Sequence, residues 1–271
     1  MQKQTSTDWT QRTERAIRLR GEHASSEELL SFYLQVLDLQ SRIACNAAEC
    51  STQFRSEIPL RQQIDIELAL PHAGVLFDIT ERHGPTTLAS VAQEMRRRGM
   101  GYLRDTLAAT VRFSNAEPSA LAYGGPEWFF PRVILQPIAE NLAQQYPEKL
   151  ATANRCTLCD SLPQLAVLRP EGDGAKRRLQ CSFCLTEWEY RRVVCPWCEE
   201  TEEDKLPRFS AEEFSHMRVE ACDTCKHYLK SVDLSVDGRA VPVVDEVALS
   251  ALDVWAAEQG YTKITPNLLG F

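Results

Sequence analysis

Apolar side chains recur every three or four positions in the first half of the chain, which is the period of a helix with one buried face. The clearest case begins at Ser25 and Ser26, whose hydroxyls can cap a helix. It continues as an apolar stripe made of Leu29, Tyr33, Val36, Leu37, Ile43, Ala44 and Ala47. This stretch predicts a long helix packed along one side.

Three further helices are predicted before residue 150. They lie at 86–99, 102–113 and 126–146. The first of them should stop at Gly99, and Pro131 and Pro137 should break or kink the last. Four such helices predict an antiparallel helical bundle.

The pattern changes after Cys156, where apolar and polar residues alternate in short runs that predict strands. These runs lie at 164–168, 187–194 and 216–220. The stretch PEGDGA at 170–175 is rich in turn formers and predicts a hairpin. Residues 243–260 return to the helical period and end at Gly260, which predicts one closing helix.

Cysteines in the strand-rich region come in four Cys-x-x-Cys pairs: Cys156 and Cys159, Cys181 and Cys184, Cys195 and Cys198, Cys222 and Cys225. A two-residue spacer lets a tight turn direct both sulfur atoms to one point, and two such turns can enclose a metal ion in four thiolates. The spacers of 21 residues between pairs one and two, and of 23 between pairs three and four, each fit a hairpin. We therefore assign pairs one and two to site one and pairs three and four to site two. A cross-braced pairing of alternate turns stays open.

An internal repeat supports this tandem assignment. The stretches CSFCLTEWEYRRV and CDTCKHYLKSVDL each follow a cysteine pair with a polar spacer, an aromatic residue and an extended run, about forty residues apart. The predicted fold is α+β: an N-terminal helical bundle, two tandem rubredoxin-like or zinc-ribbon β modules, and a closing C-terminal helix. The predicted domains are 1–150, 151–236 and 237–271, with the last packing on the rest.

The metal is expected to decide whether the cysteine segment folds, because that segment has few large apolar residues. A structural four-thiolate site contributes about 10–16 kcal/mol in small peptides. Zinc and a single iron ion both accept this ligand set. The spacing alone does not choose between them.

Charge argues against nucleic acid as the partner. The formal net charge of the chain is −8, and residues 151–235 hold 12 Lys and Arg against 15 Asp and Glu. Two thiolate cages would add further negative charge, so affinity for phosphates would be poor. The first twenty residues lack the apolar core of a signal peptide, and no run approaches the ~20 apolar residues of a membrane span. We therefore expect a cytoplasmic protein without membrane insertion.

Other candidate residues have ordinary explanations. Cys45 and Cys50 are five positions apart on a predicted helix, face different directions, and are expected to be packing or incidental thiols. His227 follows Cys225 closely, but four cysteines already complete the site, so a solvated or supporting role is expected. No arrangement of residues demands an enzyme.

Taken together, these features resemble the formate dehydrogenase accessory protein family, FdhE. The resemblance rests on the four cysteine pairs behind a helical region and on four stretches: LSFYLQVLDLQ, CSFCLTEWEYRRVVCPWC, RVEACDTCKHYLK and LDVWAAEQGYTKITPNLLGF. It implies a cytoplasmic, non-catalytic maturation factor required for active respiratory formate dehydrogenase. Such a factor would bind the enzyme's catalytic subunit before export and hold iron in two mononuclear rubredoxin-type sites, with zinc as the alternative. Carried over by position, the ligands are the eight paired cysteines.

One departure from rubredoxin concerns the residue after each second cysteine. Rubredoxin usually has glycine there, whereas this chain has Asp160, Leu185, Glu199 and Lys226. Glycine best tolerates the left-handed turn, so the departure bears on site geometry and on the preference for iron. Two rival functions remain at this point: a zinc-ribbon regulatory or nucleic-acid-binding protein, and a rubredoxin-like electron-transfer component.

Overall fold

The computed structural model describes residues 9–49, 55–112, 125–147 and 153–270. The chain forms two compact units, one of residues up to 147 and one of residues 148–269. The first unit is helical and the second contains the sheet and two short helices. In the described part of the chain, no helix is both long and apolar enough to cross a bilayer.

The described residues of the helical unit form five α-helices: α1 (Trp9–Glu22), α2 (Glu27–Glu49), α3 (Ala73–His83), α4 (Thr86–Arg112) and α5 (Phe129–Ala143). Helix α2 packs against α1 and α5, and α3 packs against α4. The predicted long helix after Ser26 is confirmed as α2. The sequence pattern missed α1, because its buried face includes Arg12 and Arg15 and so lacks an apolar period. Arg12 is satisfied by an ion pair with Glu140 at 2.6 Å.

The expected break of α5 at its prolines is wrong. Pro131 lies in the first turn of the helix, where the missing N–H would have had no intrahelical acceptor. Pro137 lies inside the helix and leaves the carbonyl of Val133 without its usual N–H donor. The side-chain amide of Gln40, on α2, donates to that carbonyl at 3.1 Å. A neighbouring helix thus supplies the donor that proline removes.

The two helices predicted at 86–99 and 102–113 form one element that is kinked at Gly99. Helix α4 spans both stretches, and its backbone leaves the helical region at Gly99 (φ 80°, ψ −179°). That conformation is almost restricted to glycine. The predicted interruption is therefore present, but it takes up a single residue.

The second unit is built on one seven-stranded sheet. Its strands are β1 (Pro163–Glu171), β2 (Gly174–Cys181), β3 (Glu187–Glu189), β4 (Arg208–Ser210), β5 (Met217–Ala221), β6 (His227–Asp233) and β7 (Thr262–Lys263). The strand order is β3-β2-β1-β6-β5-β4, with β7 beside β6. The predicted α+β class and the tandem repeat are confirmed, since β1-β2-β3 and β4-β5-β6 are two antiparallel three-stranded groups.

A parallel pairing joins the two groups into a single sheet. Strand β1 runs beside β6, with Leu165 opposite Lys230 and Leu168 opposite Asp233. The hairpin predicted at 170–175 connects β1 to β2, and Gly172 takes a left-handed φ of 55° there. The strand predicted over 187–194 is only three residues long, and the chain leaves the sheet after Glu189.

The helical closing region predicted over 243–260 is confirmed, but it is divided into two helices: α6 (Pro242–Ala248) and α7 (Ala251–Glu258). The break follows from a buried lysine on the sheet. Lys230 Nζ donates to the carbonyl oxygens of Glu246 (2.5 Å) and Leu249 (3.2 Å), which lie at the end of α6. These carbonyls find a donor without a further helical turn. The predicted stop at Gly260 is confirmed by its φ of 82°.

Candidate metal centre

All four Cys-x-x-Cys pairs form the same tight turn. In the first, the Cys156 N–H donates to the carbonyl of Ser161, and the Asp160 N–H donates to the carbonyl of Cys156, both at 2.9 Å. The first cysteine of every pair makes the equivalent bond to the carbonyl five residues on, at 2.9 Å each time. The chain therefore reverses within six residues, and both sulfur atoms lie on the inside of the turn.

The residue after each second cysteine lies in the left-handed region. The φ angles are 59°, 56°, 60° and 58° for Asp160, Leu185, Glu199 and Lys226 respectively. Non-glycine residues pay about 1–2 kcal/mol for this conformation. All four turns therefore take the left-handed conformation without glycine and carry backbone strain at this position.

The first and second turns bring four sulfur atoms together as cluster one: Cys156, Cys159, Cys181 and Cys184. The Sγ–Sγ distances are 3.6 Å for Cys156–Cys184, 3.3 Å for Cys159–Cys181 and 3.6 Å for Cys159–Cys184. All four cysteines are buried. Strands β1 and β2 hold the two turns face to face, because their hairpin returns Cys181 opposite Pro163.

The third and fourth turns form cluster two: Cys195, Cys198, Cys222 and Cys225. The Sγ–Sγ distances are 3.7 Å for Cys195–Cys225 and 3.6 Å for Cys198–Cys222. Neighbouring turns thus share a cluster, so the pairing is tandem and the cross-braced alternative does not occur. Unlike cluster one, cluster two is partly open, with Cys198 exposed.

These distances fit a tetrahedral ion. A metal–sulfur bond of ~2.3 Å gives tetrahedron edges of about 3.8 Å, close to the observed separations. Bonded disulfide sulfurs would lie about 2.05 Å apart, and all eight cysteines are free. Each cluster could therefore hold one metal ion, and four thiolates suit zinc and iron equally.

The thiols need a cation in order to ionise together. Burial raises the pKa of Cys184 well above its ordinary value and raises the pKa of Cys195 to about 11. Burial also raises the pKa of Cys225. For Cys222 burial acts in the same direction, but N–H and thiol hydrogen bonds from Cys225 outweigh it and lower the pKa. A divalent ion would supply the missing positive charge.

Polar groups around the clusters complete the sulfur environment. In cluster one the N–H groups of Phe183 and Cys184 donate to Cys181 Sγ at 3.3 and 3.4 Å. In cluster two the Trp197 N–H donates to Cys195 Sγ at 3.4 Å. Such bonds offset the negative charge of thiolate ligands.

Sequence reasoning missed a second set of supporting residues, two positions after the second cysteine of each turn. In cluster one the hydroxyls of Ser161 and Thr186 lie 3.2 Å from Cys159 Sγ and Cys184 Sγ. The sequence contained a signal for them, because each lies two positions after the second cysteine of its pair. In cluster two the corresponding residues are Glu200 and His227.

His227 lies outside the group of four sulfurs. Its Nδ1 donates to the carbonyl of Cys225 at 2.9 Å, and its ring stacks on Trp197 with 4.2 Å between centroids. Cys45 is an exposed thiol on α2 and belongs to neither cluster. Cys50 lies outside the described residues.

Two adjacent arginines on β2 pair with carboxylates. Arg177 is buried and forms an ion pair with Glu220 at 2.7 Å, while Arg178 lies 3.8 Å from Glu187. Arg177 also donates to the carbonyl of Arg191 at 2.9 Å. Because Glu220 lies on β5, the Arg177–Glu220 pair ties the two strand groups together.

Comparison with known proteins places these features in one group. A family model described as "FdhE, C-terminal domain" matches residues 193–269. The chain is 36% identical over 146 residues to "Protein FdhE homolog" of Aquifex aeolicus, covering 53% of this chain and 52% of that relative. It is 38% identical over 123 residues to the homolog of Pseudomonas aeruginosa, covering 42% and 38%. The matches thus span about half of the curated relatives, or less.

Similarity in three dimensions extends further than similarity in sequence. The crystal structure of the FdhE protein from Pseudomonas aeruginosa matches 98% of this chain and 97% of its own, with a TM-score of 0.70 at 25% identity. Both compact units are therefore included in the match.

Proposed function

Because the chain belongs to the FdhE family, we propose that it is a non-catalytic accessory protein for the maturation of formate dehydrogenase. In this role it binds the catalytic subunit of that enzyme in the cytoplasm. The observation that carries the proposal is the pair of four-cysteine clusters in a fold that matches an FdhE structure over nearly its whole length.

The ligands in this proposal are the eight cysteines of the two clusters: Cys156, Cys159, Cys181, Cys184, Cys195, Cys198, Cys222 and Cys225. The proposed metal is iron, one ion per cluster. Its support is the rubredoxin-like turn, with a left-handed residue after each second cysteine and N–H groups directed at sulfur. Iron would add a reversible one-electron couple, whereas zinc would serve structure alone.

The chain's own residues prepare the sites for such an ion. Each turn keeps the two thiols of its pair on one side, so two turns rather than four separate residues have to meet around an ion. Trp188 is buried beside the first pair of turns, and its Nε1 donates to the carbonyl of Ala153 at 2.7 Å. The N–H groups and hydroxyls described above stabilise the thiolate form.

Metal analysis of protein purified without added metal tests the ligand set. We expect close to two ions per chain and, for iron, a visible absorbance that disappears reversibly on reduction. Cys225→Ser should lower the content to about one ion, because four ligands are needed for a tight site. Cys45→Ser, which removes an exposed thiol outside the clusters, is the matched control and should retain both ions. Loss of both ions in Cys225→Ser would contradict independent sites.

Co-purification tests the partner. A tagged form of the chain should retain the formate dehydrogenase catalytic subunit when both are produced in the same cells. The experiment is run with the subunit before and after it receives its cofactor, since an accessory protein should distinguish the two. Failure to retain either form would refute the proposed partner.

A further inference from the structure

We propose that the two clusters have different tasks: cluster one keeps its ion enclosed, whereas cluster two exchanges the Cys198 ligand for an incoming low-molecular-weight thiol. The inference rests on the proposed function, because it requires an ion in each cluster. It assigns to cluster two a ligand-exchange activity for soft sulfur donors. The two clusters differ in the exposure of their cysteines, in the residues that follow each cysteine pair, and in the side chain that precedes the second cysteine.

Exposure is the first difference. The four cysteines of cluster one are between 0 and 4% exposed. In cluster two, Cys195 and Cys222 are equally buried, but Cys225 is partly exposed and Cys198 is exposed. Replacement of a thiolate ligand requires the incoming sulfur to reach the ion. Only the edge formed by Cys198 and Cys225 allows this approach.

The residues two positions after each cysteine pair also differ between the two clusters. Cluster one has the hydroxyls of Ser161 and Thr186 beside its sulfurs. At the equivalent positions cluster two has Glu200 and His227, which bind other groups. Glu200 accepts hydrogen bonds from the Thr224 hydroxyl (2.6 Å) and from the N–H groups of the next two residues. Within the described residues, neither of these two side chains places a hydroxyl beside the exposed sulfur of Cys198.

A stack of two rings lies at the surface of the turns that form cluster two. Trp197, 42% exposed, lies flat against His227, with 14° between the ring planes. These rings belong to opposite turns, one beside Cys198 and the other beside Cys225. At the position equivalent to Trp197, cluster one has Leu158, which is buried. A surface stack can open without disturbing the sheet, whereas a buried leucine cannot.

The exchange step conserves charge and involves no redox change. With an ion bound, Cys195, Cys222 and Cys225 would hold it throughout. The Cys198 sulfur would give up the fourth position as it takes the proton of the incoming thiol, and the sulfur of that thiol would replace it. A neutral thiol is the suitable donor, because Glu199 and Glu200 make the surroundings of Cys198 acidic.

Release of zinc from the zinc-loaded full chain to a coloured chelator, with and without the neutral thiol 2-mercaptoethanol, tests this difference. We expect two phases of one ion each, with the first at least about tenfold faster and accelerated by 2-mercaptoethanol. Alkylation with iodoacetamide, mapped by mass spectrometry, should label Cys198 and Cys225 during the first phase. Cysteines of cluster one should react only in the second.

Matched variants locate the exchange edge. Trp197→Ala should speed the first phase of zinc release and leave the second unchanged, since it removes one ring of the Trp197–His227 stack at cluster two. Leu158→Ala is the equivalent change in cluster one and should not speed the first phase. A single release phase for both ions, or early labelling of cluster one, would overturn the inference while leaving two bound ions intact. Protein that binds no metal would instead refute the proposed function.

Discussion

At the scale of single residues, the cysteine turns use strained positions where a glycine would be relaxed. Asp160, Leu185, Glu199 and Lys226 all have φ near +60°. Some of these side chains have their own contacts: Lys226 forms an ion pair with Asp223 at 2.6 Å and lies over the Tyr261 ring. Glu199 is exposed, so its strain can be tested with little loss of packing.

We predict that Glu199→Gly stabilises the metal-loaded protein by about 0.5–1 kcal/mol. Relief of left-handed strain exceeds the added chain entropy of glycine in the unfolded state. Chemical denaturation at constant metal concentration measures the change. Glu203→Gly, an exposed acidic residue with negative φ, is the control and should be neutral or destabilising. Equal effects of the two changes would show that the turn is not strained.

At the scale of elements, isolated residues decide where helices continue. Helix α5 continues through Pro137 because Gln40 donates to the carbonyl of Val133. Helix α4 kinks at Gly99, whose backbone no other residue adopts readily. A local sequence pattern detects the proline and the glycine, but it does not show a donor supplied by another helix.

Gly99→Ala should destabilise the protein by about 1–3 kcal/mol, because a Cβ is strained at φ 80°, ψ −179°. No heavy atom lies within 4 Å of the added Cβ, so crowding does not contribute. Gly101→Ala is matched in position and space but has ordinary helical geometry, and it should stabilise by about 0.5–1 kcal/mol. Thermal unfolding compares the two. Effects of the same sign would contradict the role of the kink.

A buried group of charges joins the sheet to helices α6 and α7. Lys230 on β6 is fully buried and lies 2.6 Å from Asp253 and 3.3 Å from Glu246. Lys263 on β7 also pairs with both carboxylates. Burial lowers the pKa of Lys230, whereas the carboxylates outweigh burial and raise the pKa of Lys263.

Lys230→Met should destabilise the protein by about 3–5 kcal/mol, because it keeps the side-chain volume but leaves buried carboxylates and helix-end carbonyls short of a donor. Denaturation monitored by circular dichroism measures the loss. Lys205→Met removes an exposed lysine that pairs with Glu202 and should cost less than about 1 kcal/mol. Comparable losses in the two variants would exclude a special role for the buried charges.

At the scale of the whole molecule, the chain consists of a helical unit and a sheet unit that carries both cysteine clusters. The two strand groups share one sheet through the β1–β6 pairing, so each cluster lies at the end of a hairpin anchored in the common sheet. The boundaries predicted from the sequence at residues 150 and 236 stay a prediction.

Removing the metals with a strong chelator under reducing conditions should unfold the sheet unit and leave the helical unit protected. The free energy of binding at a structural thiolate site, about 10–16 kcal/mol, is comparable to the whole stability of a small domain. Hydrogen exchange followed by mass spectrometry measures the protection of backbone amides in both units in one sample. Amides of β1–β6 should lose protection, whereas those of α2 and α5 should keep it. Retained protection in the sheet would show that the metals are not needed for folding.

The sequence by itself determined the class of fold and the tandem repeat, and it favoured the tandem pairing of the cysteine turns. Those features depend on local periodicity and on spacer length, which are properties of neighbouring residues. Tertiary structure alone excluded the cross-braced pairing and decided that α5 continues through Pro137, that the closing helix is interrupted where Lys230 contacts the Leu249 carbonyl, and that Cys198 is exposed while its counterpart Cys159 is buried. Each of these depends on which distant side chain or solvent fills the space beside the residue, and spacing along a chain does not specify that.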